Sequence, residues 1–301
     1  MKIVILGGSG YLSSCLCFYL KKKNKIILAT RNKNKISYKF KNVKIIKINY
    51  LSYKSIEKIL VKTDYVFHLI GANSLFSENN KKKSFNLKKE TTKIILKAAF
   101  KTNSKIIYFS TSKVYKNFNK LNINEGSIVQ GSNQYVNNHI MAENLILKDI
   151  KRNKTQHKII RLSSVFGLPF FYKSKETFNL IINSMCLEAI KKHRISIKNP
   201  SIIRDFFPSS MFETMHKHLF SNKKNNILNF GYKTYSLFSI AQMVQKSCLK
   251  NLGFRPKIVT TPYVKKKKLP LFQSKYLKQT KNNNKIQNEI SKLLKVIDHN
   301  V

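Results

Sequence analysis

Over the first two-thirds of the chain, short apolar runs rich in Ile and Val alternate with longer stretches whose apolar residues recur every three to four positions. The short runs are Lys2–Leu6, Lys25–Thr30, Val43–Ile48, Tyr65–Ile70, Lys105–Ser110 and Lys158–Leu162. A brief, continuous apolar run reads as a strand covered on both faces, as in a parallel sheet. The longer stretches are Tyr11–Lys23, Ser55–Lys62, Ser84–Thr102 and Tyr135–Arg152. They read as helices; on the last, Ile140, Ala142, Leu145 and Ile146 supply one apolar face. Strand and helix in alternation predict an α/β fold built on a doubly wound parallel sheet.

After about residue 163 the rhythm changes. A helix is expected over Thr177–Lys192, then a short strand Ile195–Ile197 and the segment IIRDFFPSSMF. A strand at Ile227–Phe230 leads through Tyr235–Leu237 into a helix ending near Leu252, and the tail ends in a helix over Ile286–Ile297. The change of rhythm divides the chain into a region 1–165 and a smaller α/β region 166–301, with the strand near 227–231 returning to the first sheet.

Composition narrows the setting. The chain has 301 residues, 42% of them hydrophobic, enough for a sizeable core. No apolar run approaches the roughly 20 residues of a membrane span. The opening MKIVILGGSG does not read as a signal peptide, so the expected compartment is cytoplasmic, with no membrane partner. Cys15, Cys17, Cys186 and Cys248 form no CxxC pair and have no zinc-spaced histidines, so they read as small buried hydrophobes. The formal charge of +45 suggests nucleic acid at first sight. The basic residues are nearly all Lys, however, and are spread through every segment together with Asn and Ile; all three have A/T-rich codons. Genome composition therefore accounts for the charge without a nucleic-acid partner. Its physical consequence is an attraction for small anions. The run Lys265–Lys268 reads as a solvated loop.

The strongest chemical signal is GGSGYLSS, Gly7 to Ser14, directly after the first strand and opening the first helix. Glycines let the backbone turn tightly and lie against a pyrophosphate, and the helix N-terminus offers N–H donors. Six further segments follow in order. They are Asp64–Ala72 (DYVFHLIGA), the helix around Asn86 (SFNLKKETTKIILKAA), Phe109–Tyr115 (FSTSKVY), Tyr135–Glu143 (YVNNHIMAE), Arg161–Pro169 (RLSSVFGLP) and Arg204-Asp205-Phe206. Together the seven resemble, over roughly residues 1–235, the extended short-chain dehydrogenase/reductases of the NAD-dependent epimerase/dehydratase family, with Ser13 where the third glycine would stand.

The resemblance implies a Rossmann-type, dinucleotide-binding region over 1–165 and a substrate-binding region over 166–301. It implies a bound NADP or NAD held by Gly7, Gly10, Tyr11, Leu12, Arg31, Leu69, Gly71, Tyr135 and His139. The substrate would be a nucleoside-diphosphate sugar contacted by Ser112, Ser164 and Arg204, although Asp205 could instead make Arg204 half of a structural pair. Tyr135 would be the general acid/base, Thr111 would bond the same substrate oxygen, and a homodimer is compatible with the family. The end of the second strand carries Thr30-Arg31-Asn32 and no acid for a ribose 2′-hydroxyl, which leans toward the 2′-phosphate of NADP.

The family places a Lys four residues after the tyrosine; here position 139 is His. A neutral imidazole could bridge ribose hydroxyls. A charged one could favour phenolate, giving an activity limb at about pH 6–7.5 and making His139→Lys a tolerated change. Lys113 is another conceivable cation. Ser112-Lys113 stand where dehydratases of the family carry an acid pair, which disfavours a dehydratase. The implied activity is a nucleotide-sugar epimerase or 4-ketoreductase serving surface polysaccharide synthesis. The alternative is a catalytically impaired dinucleotide binder with a regulatory, scaffold or anion-binding role. His68 reads as a packed core residue, and His216 and His218 carry no metal signature. Phe170, Phe171 and Tyr172 fit either a sugar pocket or loop core.

Overall fold

A computed structural model describes residues 1–36, 40–116, 122–169, 178–221, 225–262, 269–278 and 284–299. Phe170, Phe171, Tyr172, Thr177 and the run Lys265–Lys268 lie outside them. The first half runs β1 (Lys2–Leu6), α1 (Tyr11–Leu20), β2 (Lys25–Thr30), β3 (Val43–Lys47), α2 (Tyr53–Leu60), β4 (Tyr65–His68), α3 (Ser74–Asn79), α4 (Lys81–Thr102), β5 (Lys105–Thr111) and α5 (Gln134–Asn153). There follow β6 (Lys158–Leu162), β7 (Ser164–Phe166), α6 (Ile181–Lys192), β8 (Arg194–Ile197), β9 (Ile203–Pro208), α7 (Phe212–Leu219), β10 (Ile227–Phe230), β11 (Lys233–Ser236), α8 (Leu237–Leu252), β12 (Lys257–Thr260) and α9 (Lys285–Asp298).

Seven strands form one parallel sheet in the order β10-β6-β5-β4-β1-β2-β3. The order reverses between β1 and β4, and in open α/β sheets ligands bind outside the carboxyl ends of the strands at such a switch point. One face of the sheet is covered by α2, α4 and α5 through Val4, Leu6, Val66, Ile95, Leu96, Tyr108 and Ile146. On the other face Ile3, Ile5, Leu16 and Ile107 join Ile182, Leu228, Ile240 and Ile290 in one continuous core. The later segment thus contributes to the main body: β10 extends the large sheet and α7 packs on α1.

Two small sheets complete the second region. Strand β9 lies between β7 and β11, and β12 pairs with β8. The sequence pattern does not mark β7, β9, β11 or β12 as strands, because polar and apolar residues mix along them. The strand at Val43–Lys47 was expected to be buried on both faces; instead it is half-exposed, because it closes the edge of the sheet. Helix α1 stops at Leu20, three residues early, where the Asn24 side chain donates to the Leu20 carbonyl.

Candidate active site

The loop after β1 is shaped by close backbone packing. Gly7 has φ +94°, and a Cβ there would meet the Leu69 backbone at 3.0 Å. Only glycine takes that conformation readily. A Cβ on Gly8 would lie 3.1 Å from the Ala29 backbone, and Gly8 N–H donates to the Ala29 carbonyl at 2.8 Å. Gly10 is the freest of the three, its nearest neighbour being the Gly7 carbonyl at 3.3 Å. Ser13 fits the third glycine's position because it is small: it is buried, and its hydroxyl donates to the Gly7 carbonyl at 2.7 Å.

Gly10 is the N-cap of α1, and no side chain caps that end. The first N–H groups of a helix lack intrahelical partners, and those of Tyr11 and Leu12 belong to that turn. The donor set fits a pyrophosphate. The Tyr11 side chain is occupied elsewhere, donating to the Gly167 carbonyl at 2.9 Å. Thr30 ties the end of β2 to the loop through Ser9, 3.0 Å away. Next to it the exposed Arg31 has its guanidinium 5.9 Å from the Tyr50 ring centre. Leu69 and Gly71 continue the edge from β4, so sequence-distant cofactor candidates meet at the switch point.

Tyr135 stands in the first turn of α5. The Asn133 side chain caps that helix by accepting from Val136 N–H at 3.0 Å. Burial raises the Tyr135 pKa, and the neighbouring Thr111 hydroxyl partly offsets the rise. Thr111 and Tyr135 are therefore brought together as the motifs imply.

His139 lies one turn on, its ring centre 4.7 Å from that of Tyr135. Its Nδ1 is 2.7 Å from the Tyr108 hydroxyl. Burial, followed by the charges of Lys88, His68 and Lys113, holds its pKa well below the ordinary histidine range. Of the two forms weighed from the sequence, this shift favours the neutral imidazole that could bridge ribose hydroxyls over the charged one.

The source of charge is a residue that sequence reading passed over. Lys88 on α4 is 4% exposed, and its ammonium donates to the Ile70 carbonyl at 2.5 Å. The helix resemblance was anchored on Asn86, which is exposed. Ser84, Lys88, Thr91, Thr92 and Ile95 form the buried stripe instead. Their spacing of three and four residues is the signal that could have singled out Lys88. His68 is fully buried in the same place, with Nε2 3.0 Å from the Thr92 hydroxyl.

The substrate candidates gather on the other side of Tyr135. Ser112 follows Thr111, and the Lys113 ammonium hangs 5.6 Å from the Tyr135 ring centre. Partial desolvation and the Arg204 charge push the Lys113 pKa down, which puts the two cations near each other. Ser164 faces Phe206, two residues beyond Arg204, on the paired strand β7. The Arg204–Asp205 pairing does not form: Asp205 is turned into the core, where it accepts from Tyr232 N–H at 2.9 Å. Successive strand residues point to opposite faces, which separates the two side chains.

Beneath the site, Glu143 and Arg161 form a buried two-point ion pair with contacts of 2.6 and 3.1 Å. Arg161 also donates to Tyr115, whose hydroxyl donates to Asn229 on β10. This network pins α5 to the sheet. Among the described residues no His/Cys/Asp/Glu cluster could hold a metal, so His216 and His218 belong to none, and all four cysteines are free and buried. No described helix is long and apolar enough to cross a membrane.

Residues 3–207 match the NAD dependent epimerase/dehydratase family. A dTDP-D-glucose 4,6-dehydratase from Dictyostelium discoideum is 31% identical over 218 residues, 61% of this chain and 48% of that protein. The chain therefore spans about half the length of that relative. A UDP-glucose 4-epimerase from Mycoplasma genitalium is 25% identical over 85% of each chain. A UDP-N-acetylglucosamine 4-epimerase from Methanobrevibacter ruminantium M1, solved with UDP-N-acetylmuramic acid, shares the fold. It has a TM-score of 0.82 at 18% identity and covers 100% of this chain and 99% of that one. A UDP-glucuronic acid 4-epimerase from Bacillus cereus, solved with UDP-glucuronic acid and NAD, gives 0.79 at 16% identity with full coverage of both chains.

Proposed function

The chain belongs to the NAD-dependent epimerase/dehydratase family, and from that premise we propose that it is an NAD(P)-dependent nucleotide-sugar epimerase or 4-ketoreductase. The observation that carries this reading is the meeting of Thr111 and Tyr135 at the edge that also holds the uncapped N-terminus of α1. A bound nicotinamide dinucleotide supplies hydride acceptance and donation. Gly10 and the first turn of α1 hold its pyrophosphate. His139, with Nδ1 engaged by Tyr108, has its other ring nitrogen left for a ribose hydroxyl. Thr111 and Tyr135 grip one hydroxyl oxygen of the sugar; as its phenolate, Tyr135 takes up the hydroxyl proton while the carbon is oxidised, and the phenol so formed returns it on reduction.

The substrate class is a nucleoside-diphosphate sugar, as in the named relatives. Arg204, with Lys113 nearby, contacts its diphosphate, and residues 166–301 form most of the substrate side. The absence of an acid pair at Ser112-Lys113 favours an epimerase or reductase over a dehydratase. Work in surface polysaccharide synthesis accords with that substrate.

The test is turnover on UDP-glucose, UDP-N-acetylglucosamine, UDP-glucuronic acid and dTDP-glucose, comparing the wild type with Tyr135→Phe. Loss of the phenol should lower the rate by about 10²–10⁴-fold while dinucleotide binding persists. Equal background rates for both proteins on every sugar would instead support a binder without catalysis.

A further inference from the structure

Helix α4 carries a charge that the proposed mechanism does not use. Lys88 sits on its buried stripe, and its ammonium reaches across to the loop after β4. It donates to the Ile70 carbonyl and fills the space beside Gly71: a Cβ on Gly71 would lie 2.8 Å from it. The ammonium is also 5.2 Å from the centre of the Tyr108 ring. The Tyr108 hydroxyl bonds His139, and His139 lies edge-on to Tyr135. Lys88 is thus joined to the acid/base residue through two intervening rings, on the side of the site that borders the cofactor.

Among the described residues no acid neutralises the charge. The titratable groups facing the Lys88 ammonium are His68 from β4, Tyr108 from β5 and His139 from α5, while the hydroxyls of Thr91 and Thr92 donate to the Lys88 backbone carbonyl. Burial, and then the Lys88 charge, holds the pKa of both His68 and His139 well below the ordinary histidine range. Among the described residues Lys88 joins no ion pair with an acid. A buried charge without a partner is costly to keep, so a position of this kind points to function.

We propose that Lys88 supplies the positive charge of the cofactor site, a positioning residue on α4 that does the electrostatic work of the lysine absent from position 139. The two positions share one role from opposite sides of the Tyr108–His139 pair, so a cation fits at 88 or at 139 but not at both. This rests on the dinucleotide-binding reading given above. It runs against the expectation that His139→Lys would be tolerated, since that change buries a second ammonium near the first.

The charge has a signature in binding alone. A nicotinamide ring is positively charged when oxidised and neutral when reduced, so a nearby ammonium favours NADH over NAD⁺. For charges roughly 10 Å apart at an effective dielectric near ~20, the bias is about tenfold. Burial lowers the Lys88 pKa to about 7, so the bias should be present at pH 6 and fade by pH 8.5.

The experiment is calorimetric titration of wild type, Lys88→Met, Lys88→Gln, Lys113→Met and Lys88→Met/His139→Lys with NAD⁺ and NADH at both pH values. The wild-type affinity ratio should shift toward NADH by about tenfold at pH 6 relative to pH 8.5. Both uncharged variants at 88 should lose that drift, Lys113→Met should keep it, and the double variant should regain the preference for NADH. His139→Lys alone should melt lower than the double variant. The proposal is overturned if the wild-type ratio does not move with pH, or if Lys88→Met keeps the drift. It also falls if Lys88→Gln keeps the drift, which would make the hydrogen bond to Ile70 the working feature, or if Lys113→Met removes it. Failure of either dinucleotide to bind any protein would bring down the cofactor reading, and this proposal with it. Binding with a flat ratio would bring down this proposal alone.

Discussion

The two halves of the candidate site are built from different materials. The loop at the start of α1 is a backbone device: glycines set its path, and its ligand-facing groups are peptide N–H donors presented by a helix end. The cluster around Tyr135 is a side-chain device, assembled from Lys88 on α4, Tyr108 and Thr111 on β5, and His139 on α5. The loop tolerates exchange wherever a small residue keeps the path, as Ser13 does for the third glycine. In the cluster, exchange at one position is coupled to its neighbours, because charges buried together cannot be altered singly. A departure from the family pattern therefore means little in the first region and something specific in the second.

The comparison is tested hardest by the support under the side-chain half. Glu143→Ala would leave the Arg161 guanidinium buried without its partner, at a cost of about 3–5 kcal/mol. Thermal unfolding should show that fall, and loss of the Tyr135 chemistry should accompany it. A drop below about 1 kcal/mol would mean that α5 is held mainly by its apolar face.

The backbone half should separate path from ligand. Gly7→Ala forces a side chain into a positive φ and against the Leu69 backbone at 3.0 Å, costing about 1–3 kcal/mol of stability. Gly10→Val meets nothing closer than 3.3 Å at its Cβ, so the protein should fold normally. Its larger side chain occupies the approach of the phosphates, so dinucleotide affinity should fall tenfold or more by calorimetry. If Gly10→Val bound NADPH or NADH as tightly as wild type, the uncapped helix end would not be the pyrophosphate site.

The smallest effect expected is at Arg31, an exposed charge at the end of β2. Arg31→Ala should weaken NADPH by roughly fivefold, about 1 kcal/mol, and leave NADH nearly unchanged, since only the former carries a 2′-phosphate. Tighter binding of NADH than NADPH by the wild type would remove the lean toward NADP.

What the sequence determined by itself was local or periodic. Ile- and Val-rich runs marked the strands of the parallel sheet from β1 to β6; for all but the edge strand β3, burial on both faces requires an apolar run. The glycine loop was legible for a similar reason: strand, turn and helix are contiguous, so the pattern and the site are the same twenty residues. Tyr135 and Thr111 were found as motif members, and the structure sets them in contact. The edge position of β3, the burial of Asp205 away from Arg204 and the lowered pKa of His139 could not be read in this way. Each depends on what packs opposite, and the partners come from elements far apart in the chain. Lys88 shows the difference most plainly. Its place on the buried stripe of α4 was written in the spacing, but a lysine in so basic a chain looks like solvated surface. Only the tertiary structure brought its ammonium beside Gly71, Tyr108 and His139, where removal from water turns an ordinary surface charge into a group that titrates near neutrality.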